Sequence, residues 1–477
     1  MKTKKRIAIE SFDNFKKETA ASVDRFYNYL PTKVLSNSYG VKEAGFPNSL
    51  EDSTEYHLDI DEADFSKVKG VTYFKQFFPR SGNTQHRILI YGDDKKEYIN
   101  QLFCEDNALY WLYSLEFNSA PITLAFKKDD SDAIILSSKD QMKIWKTGYS
   151  PYTVENAPII TSMCMNEGVL FCTIQEPAFK IWYATDLDPE NIGNITANSG
   201  YISLEDDLGY ARKIVSFNQD VYVFRDYGIS KIKYVKNNIS VSQVYLSNTK
   251  IFTDTVSVCG NTIMFMCVEG IFQFNGVKVT RSGIDIAEML SIRNDNACAA
   301  SLGNKYYLAL RLNFGDQNQI MCETGEYVNN VIIVVDLTDY SYQIIRGVDV
   351  GSLLPVKTPV FEKMLVTFNT VYDTKLGEIC EEATCFNTPI PKFWATNDLF
   401  ELPTQRMITK LSVVADQGVK FNLKYDGKST SFTSYTTGLN EFCFKIYCKN
   451  LKLEISSPNT SAEVQKVFVD YYDYTKN

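Results

Sequence analysis

The sequence predicts an all-β protein with a β-propeller of about seven blades, a short N-terminal helical arm and a C-terminal antiparallel β-sandwich. Its 477 residues include 30 Tyr and 30 Phe, and both residue types favour strands. A pattern of short apolar strands and polar turns repeats along the middle of the chain. Alternating apolar and polar residues then continue beyond Pro391. The chain is too long for one ordinary core, so several domains are expected.

One helix is predicted near the start, within an arm of residues 1–55. Mostly apolar residues recur there at steps of three and four and share one helical face; they are Phe12, Phe15, Thr19, Val23, Phe26 and Leu30. Ser11 is a suitable N-cap, and Pro31 ends the pattern. The helix either packs on its own domain or docks on a neighbouring subunit. In the second case Phe12, Phe15, Phe26 and Leu30 are the candidate subunit contacts.

Residues 56–385 are predicted to form the propeller. In the two clearest hairpins, Val221–Phe224 and Ile263–Met266 are each followed by a turn with Gly and a second strand. Five weaker copies recur, and the last residues of all seven first strands give the series Tyr91, Leu136, Cys172, Phe224, Met266, Leu308 and Phe368. Successive members lie about 45, 36, 52, 42, 42 and 60 residues apart, close to the period of a four-stranded blade. This indicates seven blades, with six or eight as alternatives, and Ile284–Leu290 predicts one or two helical turns between blades.

Residues 386–477 are predicted to form the sandwich. Five alternating runs lie in this part of the chain: Ile408–Val414, Val419–Tyr425, Glu441–Tyr447, Leu451–Ile455 and Val464–Tyr472. Turns rich in Gly, Asn, Ser and Pro separate them, which is typical of a small antiparallel sandwich.

Charge and cysteine content limit the classes of function. The net charge is −9 without a long block of Lys and Arg, which disfavours simple binding to a phosphate backbone. Apolar runs such as Val331–Val335 are too short for a membrane-spanning segment, and the basic start lacks the apolar run of a signal peptide. The 11 Cys are scattered without a CxxC pair, so we expect reduced thiols in a reducing compartment.

Motifs for catalysis are lacking in the sequence, so we predict no enzymatic activity, no cofactor and no metal site. The only histidines are His57 and His86, without a metal-binding spacing, and we expect His86 to be structural. No nucleophile elbow, P-loop or dinucleotide-binding motif occurs. Acidic clusters, such as those at Asp129–Asp132 and Glu205–Asp207, suit solvated turns better than calcium loops.

A carbohydrate-binding or sialidase-like propeller is the alternative function. Ser138, Asp140 and Trp145 resemble the Asp-box of sialidase-type propellers, with Met142 in place of its Gly. That motif forms a hairpin turn and takes no part in catalysis. Sialidases also use an arginine cluster, for which the candidates are Arg212, Arg225, Arg281, Arg293 and Arg311. Four Trp could stack on sugars, although core packing is their commoner role; they are Trp111, Trp145, Trp182 and Trp394.

Several stretches resemble the tail propeller proteins of tailed bacteriophages, the head-tail stabilisation and tail nozzle proteins. The phrase at Gly270–Gly276, followed by Ser282 and the pattern at Ile284–Leu290, is similar to a blade of that family. Ile202–Gly209, leading to Val221–Phe224, is similar to the preceding blade. The segments around Leu30–Val41 and Phe393–Thr396 resemble the opening segment and the C-terminal module of such proteins.

The resemblance implies a structural virion protein at the head-tail connector or tail nozzle, assembled in the cytoplasm of the bacterial host. It implies a homo-oligomer, commonly a hexameric ring, that contacts other tail or connector proteins. Genomic DNA would pass through the ring without sequence-specific binding. An intracellular scaffold propeller of the WD or kelch kind ranks last, because no Trp-Asp dipeptide or Gly-Gly blade signature occurs.

Overall fold

The computed structural model describes residues 4–12, 23–44, 48–49, 68–92, 95–105, 108–185, 188–235, 238–284, 286–290, 294–314, 329–368, 376–382, 384–400, 404–458 and 462–473. Over these residues the protein is all-β, and its only helical segments are the 3-10 turns Pro189–Asn191 and Ala287–Met289. The second turn lies within the helical segment predicted between blades. Within the same residues, no helix is long and apolar enough to cross a membrane.

Six short strands come first: β1 (Lys4–Ile9), β2 (Val23–Tyr27), β3 (Tyr29–Pro31), β4 (Leu35–Asn37), β5 (Gly40–Glu43) and β6 (Asn48–Ser49). Each later joins a sheet formed mainly by strands far away in sequence.

Seven sheets follow one another between residues 70 and 389. The first contains β7 (Gly70–Phe78), β8 (Asn83–Tyr91), β9 (Lys96–Phe103) and β10 (Ala108–Glu116), with β6 parallel to β10. The second contains β11 (Ile122–Lys128), β12 (Ser131–Ser137), β13 (Met142–Lys146) and β14 (Tyr152–Val154). The third contains β15 (Ile160–Asn166), β16 (Val169–Ile174), β17 (Lys180–Thr185) and β18 (Ser199–Ser203). The fourth contains β19 (Ala211–Phe217), β20 (Asp220–Arg225), β21 (Gly228–Val235) and β22 (Asn238–Leu246).

The remaining three sheets continue this order. The fifth contains β23 (Ile251–Cys259), β24 (Thr262–Cys267), β25 (Gly270–Phe274) and β26 (Val279–Arg281). The sixth contains β27 (Cys298–Leu302), β28 (Lys305–Leu310), β29 (Val331–Asp336) and β30 (Tyr342–Arg346). The seventh contains β31 (Val350–Lys357), β32 (Glu362–Phe368), β33 (Gly377–Cys380), β34 (Thr384–Cys385) and β35 (Thr388–Pro389), with β5 between β33 and β34.

Seven further strands complete the chain: β36 (Lys392–Thr396), β37 (Arg406–Ala415), β38 (Lys420–Tyr425), β39 (Lys428–Thr433), β40 (Gly438–Cys448), β41 (Lys452–Ser457) and β42 (Val464–Asp473). One sheet has the order β3-β4-β42-β37-β40, with β1 also paired to β42. The other has the order β2-β36-β41-β38-β39. Alternate residues of these strands are buried, such as Leu411 and Val413 in the first sheet and Phe421 and Leu423 in the second. This is the pattern of a two-sheet sandwich.

The chain forms two compact units. The first contains residues 1–43, 307–350 and 377–477, and the second contains residues 44–306 and 351–376. In the second unit, the first strands of successive sheets pack side by side: β11 on β15, β15 on β19, β19 on β23 and β23 on β27. Val356 and Leu365, late in this unit, share one apolar cluster with Val71 and Ile88 of the first sheet. The sheets of this unit therefore return to their starting point, as in a propeller.

The repeat seen in the sequence corresponds to an equivalent strand in each of the seven sheets. Each of the seven residues that define it lies in the second strand of successive sheets, namely β8, β12, β16, β20, β24, β28 and β32. Apolar side chains from neighbouring sheets meet between them; the rings of Phe224 and Phe265 lie 5.4 Å apart between the fourth and fifth sheets. The prediction of a seven-sheet, propeller-like fold is confirmed at this level.

The N-terminal helix was predicted wrongly where the structure describes it. Phe26 lies in β2 and Leu30 in β3, and β2 pairs with β36 through Phe26 opposite Trp394. Aromatic residues spaced for one helical face also fit strands, and pairing with a distant strand decided the outcome. Residues 13–22, including Phe15 and Thr19, lie outside the described residues.

Candidate functional sites

The predicted subunit contacts occupy different environments in the first unit. Phe12 is 1% exposed, and its ring meets that of Trp394 edge to face with 5.1 Å between the centroids. Phe26 is 2% exposed and packs 5.3 Å from Tyr342. Leu30 is half-buried. The positions of Phe12 and Phe26 therefore do not support a subunit contact, because their rings belong to the core of their own chain.

The Asp-box-like segment forms the turn between β12 and β13. The Asp140 carboxylate accepts hydrogen bonds from the backbone N–H and the side-chain amide of Asn118, at 3.2 and 2.9 Å. Ser138 closes the turn by donating its backbone N–H to Gln141 at 2.8 Å. Trp145 is buried and donates its indole N–H to the Tyr149 carbonyl at 3.1 Å. The segment thus forms and stabilises a hairpin turn, as the sequence pattern predicted.

The candidate residues for sugar chemistry are dispersed. Of the four arginines that the structure describes, Arg225 is fully buried, Arg281 ends the outermost strand of the fifth sheet, and Arg311 belongs to the first unit. Arg212 lines a cavity of the second unit. Arg293 lies outside the described residues. Trp145 and Trp394 are buried, whereas Trp182 and Trp111 are half-buried.

His86 and Asp129 both have structural contacts. The His86 Nδ1 atom lies 2.6 Å from the Tyr73 hydroxyl. The pKa of His86 is lowered mainly by its burial and, to a smaller extent, by the positive charge of Lys75. In the cluster at Asp129–Asp132, Asp129 forms an ion pair with Lys146 at 2.7 Å. Within the described ranges, no group of three or more His, Cys, Asp or Glu side chains could hold a metal ion. His57 falls outside them.

A polar cavity of about 100 Å³ lies where the fourth, fifth and sixth sheets of the second unit begin. Arg212 and Asp226 form an ion pair at 3.1 Å on one side of it, and Lys250 and Asp295 form another at 2.8 Å. Asp254 lines the same cavity and is exposed. The pKa of the neighbouring Lys213 is lowered by its burial, which outweighs the raising effect of Asp254. Three carboxylates and two cations line the cavity itself, and both of those cations are in ion pairs.

The loops beside this cavity are held by a buried arginine. The Arg225 guanidinium is 0% exposed and donates to the carbonyl oxygens of Leu204 and Gly209 at 3.0 and 2.6 Å. Its third partner is Asp206, 2.5 Å away, whose side chain is 55% exposed. Because a buried cation needs such partners, the loop of residues 204–209 has a fixed path.

The sandwich of the first unit has an open side bounded by β39 and β40. Each of these strands ends its sheet in the described part of the chain. The ring of Phe432 in β39 lies 5.0 Å from Phe442 and 4.8 Å from Phe444 in β40, and all three rings are half-buried. The ring of Tyr435 lies 6.0 Å from that of Phe442 and is 62% exposed, and Leu439 and Tyr447 of β40 are 57% and 46% exposed. We call these six residues the sandwich edge.

Sequence reasoning missed both the cavity and the sandwich edge. The five predicted runs included β40 but not β39, whose polar Lys428–Thr433 sequence contains one aromatic residue. The alternation of Phe442 and Phe444 with polar residues was a usable signal for an aromatic face. The cavity joins residues from three sheets, so only the fold brings them together.

Comparisons with known proteins identify no family for this chain, and the solved structures give only distant similarities. No family model matches the chain, and no curated protein sequence does. Among solved structures, BamB from Moraxella catarrhalis aligns with 61% of this chain and 78% of its own, at 10% identity and a TM-score of 0.33. The N-terminal domain of Nup159 aligns with 72% of this chain and 95% of its own, at 7% identity and a TM-score of 0.40. With scores this low, the propeller assignment depends on the strand order described above.

Proposed function

We propose that the chain is a structural virion protein of a tailed bacteriophage, which assembles into a ring at the head-tail connector or tail nozzle. The blade phrase at Gly270–Gly276 and the sandwich that follows Phe393 support the family assignment, since both resemble that family. The role is mechanical and depends on subunit interfaces.

The observation that carries the proposal is the sandwich edge. Two neighbouring strands that each end a sheet present unpaired backbone groups, and such edges readily pair with or dock on another chain. Partly exposed aromatic rings beside them are costly to leave in water, and aromatic residues are enriched in protein interfaces.

We propose that the sandwich edge binds a second copy of this chain. A ring needs a contact in which the edge of one subunit meets a different surface of the next. An edge that met its own equivalent would close a two-fold dimer instead.

The test is the mass of the purified protein in solution, measured by light scattering over a range of concentrations. We expect a closed ring of several copies, or a rise with concentration toward one. Leu439→Lys with Tyr447→Lys should reduce the assembly, because both side chains are exposed and Lys at a strand edge opposes pairing. The matched control is Ile195→Lys with Val277→Lys, two exposed apolar residues, 74% and 82%, in turns of the second unit.

Cys443 provides an independent readout. It is the exposed thiol of β40, and the other cysteines in the described residues are buried or half-buried. Alkylation of Cys443 should slow when the protein assembles and recover in the Leu439/Tyr447 variant. A monomer at every concentration, a dimer that does not grow, or equal effects of the test and control variants would overturn the proposed ring.

A further inference from the structure

A second surface, in the other unit, has the character of a docking site. Three large side chains are exposed at one end of the fourth sheet: Tyr210 by 51%, Tyr227 by 44% and Leu246 by 59%. Tyr227 and the end of β22 are adjacent, because the Ser247 N–H donates to the Tyr227 carbonyl at 2.9 Å. Together with Glu205 and Asp207 we call these residues the loop face.

Asp226 fixes the loop face from beneath. Its carboxylate accepts the Tyr210 N–H at 2.9 Å and the Arg212 Nε–H at 3.1 Å. Its own N–H donates to the Tyr210 carbonyl at 3.2 Å, and its carbonyl accepts the Ile251 N–H at 2.8 Å. The exposed rings therefore stand on a preorganised backbone, which lowers the entropy cost of binding a partner.

The charges beside these rings are mainly negative. Glu205 and Asp207 are exposed, and each lacks an ion-pair partner among the described residues. The cations close to them are engaged: Arg225 with Asp206, Arg212 with Asp226, and Lys180 over the Tyr201 ring at 4.0 Å. A cationic partner would be attracted to such a surface.

The polar cavity adds a specific place for one cation. It shares Arg212 and Asp226 with the support of the loop face, so it opens beside Tyr210. The two ion pairs in its wall leave Asp254 without a direct ion pair in the part of the chain that is described, and the half-buried Lys213 acts on it electrostatically without forming one. A lysine or arginine side chain could place its charge against this carboxylate.

We propose that the loop face binds a cationic peptide segment of a partner protein. Aliphatic residues of the segment pack on Tyr210, Tyr227 and Leu246, and one Lys or Arg enters the cavity toward Asp254. This function goes beyond the proposed ring, since it uses the second unit and needs no contact of the sandwich edge.

The experiment uses the full chain and a fluorescent eight-residue peptide of alternating Arg and Leu, with a Glu-Leu peptide for comparison, in anisotropy titrations. We expect the Arg-Leu peptide to bind and the Glu-Leu peptide not to bind. The affinity for the Arg-Leu peptide should fall as the salt concentration rises. Asp254→Asn should lower the affinity for the Arg-Leu peptide at least threefold, and Leu246→Ser should also lower this affinity. Asp130→Asn is the matched control, because Asp130 is an exposed carboxylate at the opposite end of the strands, in the β11–β12 turn.

Two outcomes would overturn the proposal. The first is absence of Arg-Leu binding at low salt. The second is an equal effect of Asp254→Asn and Asp130→Asn, which would mean that the peptide senses only overall charge. Neither outcome bears on the ring, whose test is the solution mass.

Discussion

Arg6 in the first strand and Asp470 in the last strand form a two-point ion pair. The Arg6 Nε and Nη2 atoms lie 2.6 and 3.1 Å from the two carboxylate oxygens, and Lys4 adds a third contact at 2.8 Å. The Asp470 side chain is almost completely buried, although both cations are half exposed. The pair therefore fastens β1 to β42, two strands that also pair in register from Lys4–Tyr472 to Ile9–Val467.

We expect Asp470→Asn to destabilise the protein at neutral pH by about 1–2 kcal/mol, a value reduced by solvent screening of the cations. Hydrogen bonds from Arg6, together with Lys4, lower the pKa of Asp470 to about 2. Because a lowered carboxyl pKa favours the folded state above the unfolded pKa, this stability is complete above about pH 4 and disappears as pH falls through about 2. Urea unfolding of both proteins at several pH values measures the difference.

Asp473→Asn is the matched control for this strand. Asp473 forms ion pairs with Lys5 of β1 and Arg406 of β37, but its own side chain is 42% exposed. Exposed ion pairs contribute little, so a smaller loss is expected. Equal losses in the two variants would contradict the importance of the buried carboxylate.

Asn28 joins three segments of the first unit. Its side-chain amide donates to the carbonyl oxygens of Arg346 and Pro391 at 3.2 and 2.8 Å, and its side-chain oxygen accepts the Arg346 N–H at 2.8 Å. The residue is fully buried and has a φ of 58°, in the left-handed region. Asn tolerates this backbone better than most residues do.

Asn28→Gly should cost roughly 2–5 kcal/mol, because the buried N–H and carbonyl of Arg346 and the partly buried carbonyl of Pro391 lose their partner while the backbone remains unstrained. Asn28→Ala should cost about 1 kcal/mol more, since Ala adds left-handed strain. Thermal and urea unfolding measure both. Asn156→Gly is the control, as Asn156 has a φ of 62° but is exposed. If Asn28→Gly leaves the protein as stable as Asn156→Gly does, the three hydrogen bonds are unimportant.

Sequence periodicity was enough to locate the sheets of the propeller. Blade strands such as Val221–Phe224 are formed by neighbouring residues, so their pattern is local and survives in the sequence. The five alternating runs beyond Pro391 likewise fall in β37, β38, β40, β41 and β42. The blade count followed from the spacing of the second strands.

Strand pairing between residues far apart in the chain could not be predicted from sequence periodicity. Nothing near Phe26 indicates that its partner strand begins at Lys392, and the same residues fit one face of a helix. Asp254, Arg212 and Asp295 are separated by more than forty residues at each step, and they meet only after the sheets are arranged. Exposed rings at the sandwich edge depend on which strands end a sheet, a property of topology.

Glu97 is a buried acid for which the described residues provide no ion-pair partner. It is 2% exposed, and its Oε2 atom has no hydrogen-bond partner in the described structure. Burial raises its pKa well above the usual range. Below pH 4.5 the group is protonated in both states, and as pH rises further only the unfolded state releases its proton. Stability should therefore fall with pH until the folded-state pKa is passed.

We expect Glu97→Gln to remove this fall, since Gln resembles the neutral acid and carries no charge. The measurement is the urea midpoint from about pH 4 to 8, compared with Glu116→Gln, an exposed residue at the end of β10. Parallel curves for the wild type and the Glu97 variant would contradict the assignment of a neutral buried acid.

Lys392 should give the opposite pH dependence. The residue is 1% exposed, donates to the Asn37 side chain and lies 5.7 Å from the Tyr29 ring centre. Burial lowers its pKa to about 8, although Asp416 and Glu463 act in the other direction. Below pH 8 both states carry the proton, and the folded state bears the cost of burying the charge. Between pH 8 and 10.5 the folded state releases the proton first, so stability rises.

Lys392→Met should abolish this rise, which amounts to about 3 kcal/mol for a shift of this size. The comparison is the difference in unfolding free energy between about pH 7 and about pH 11 for each protein. Changes in packing cancel in that difference, because they are present at both pH values. Lys420→Met, at an exposed position of β38, should leave the wild-type rise intact. If Lys392→Met retains the rise, other groups that titrate in this range must cause it, and Lys392 must be charged at no cost to folding.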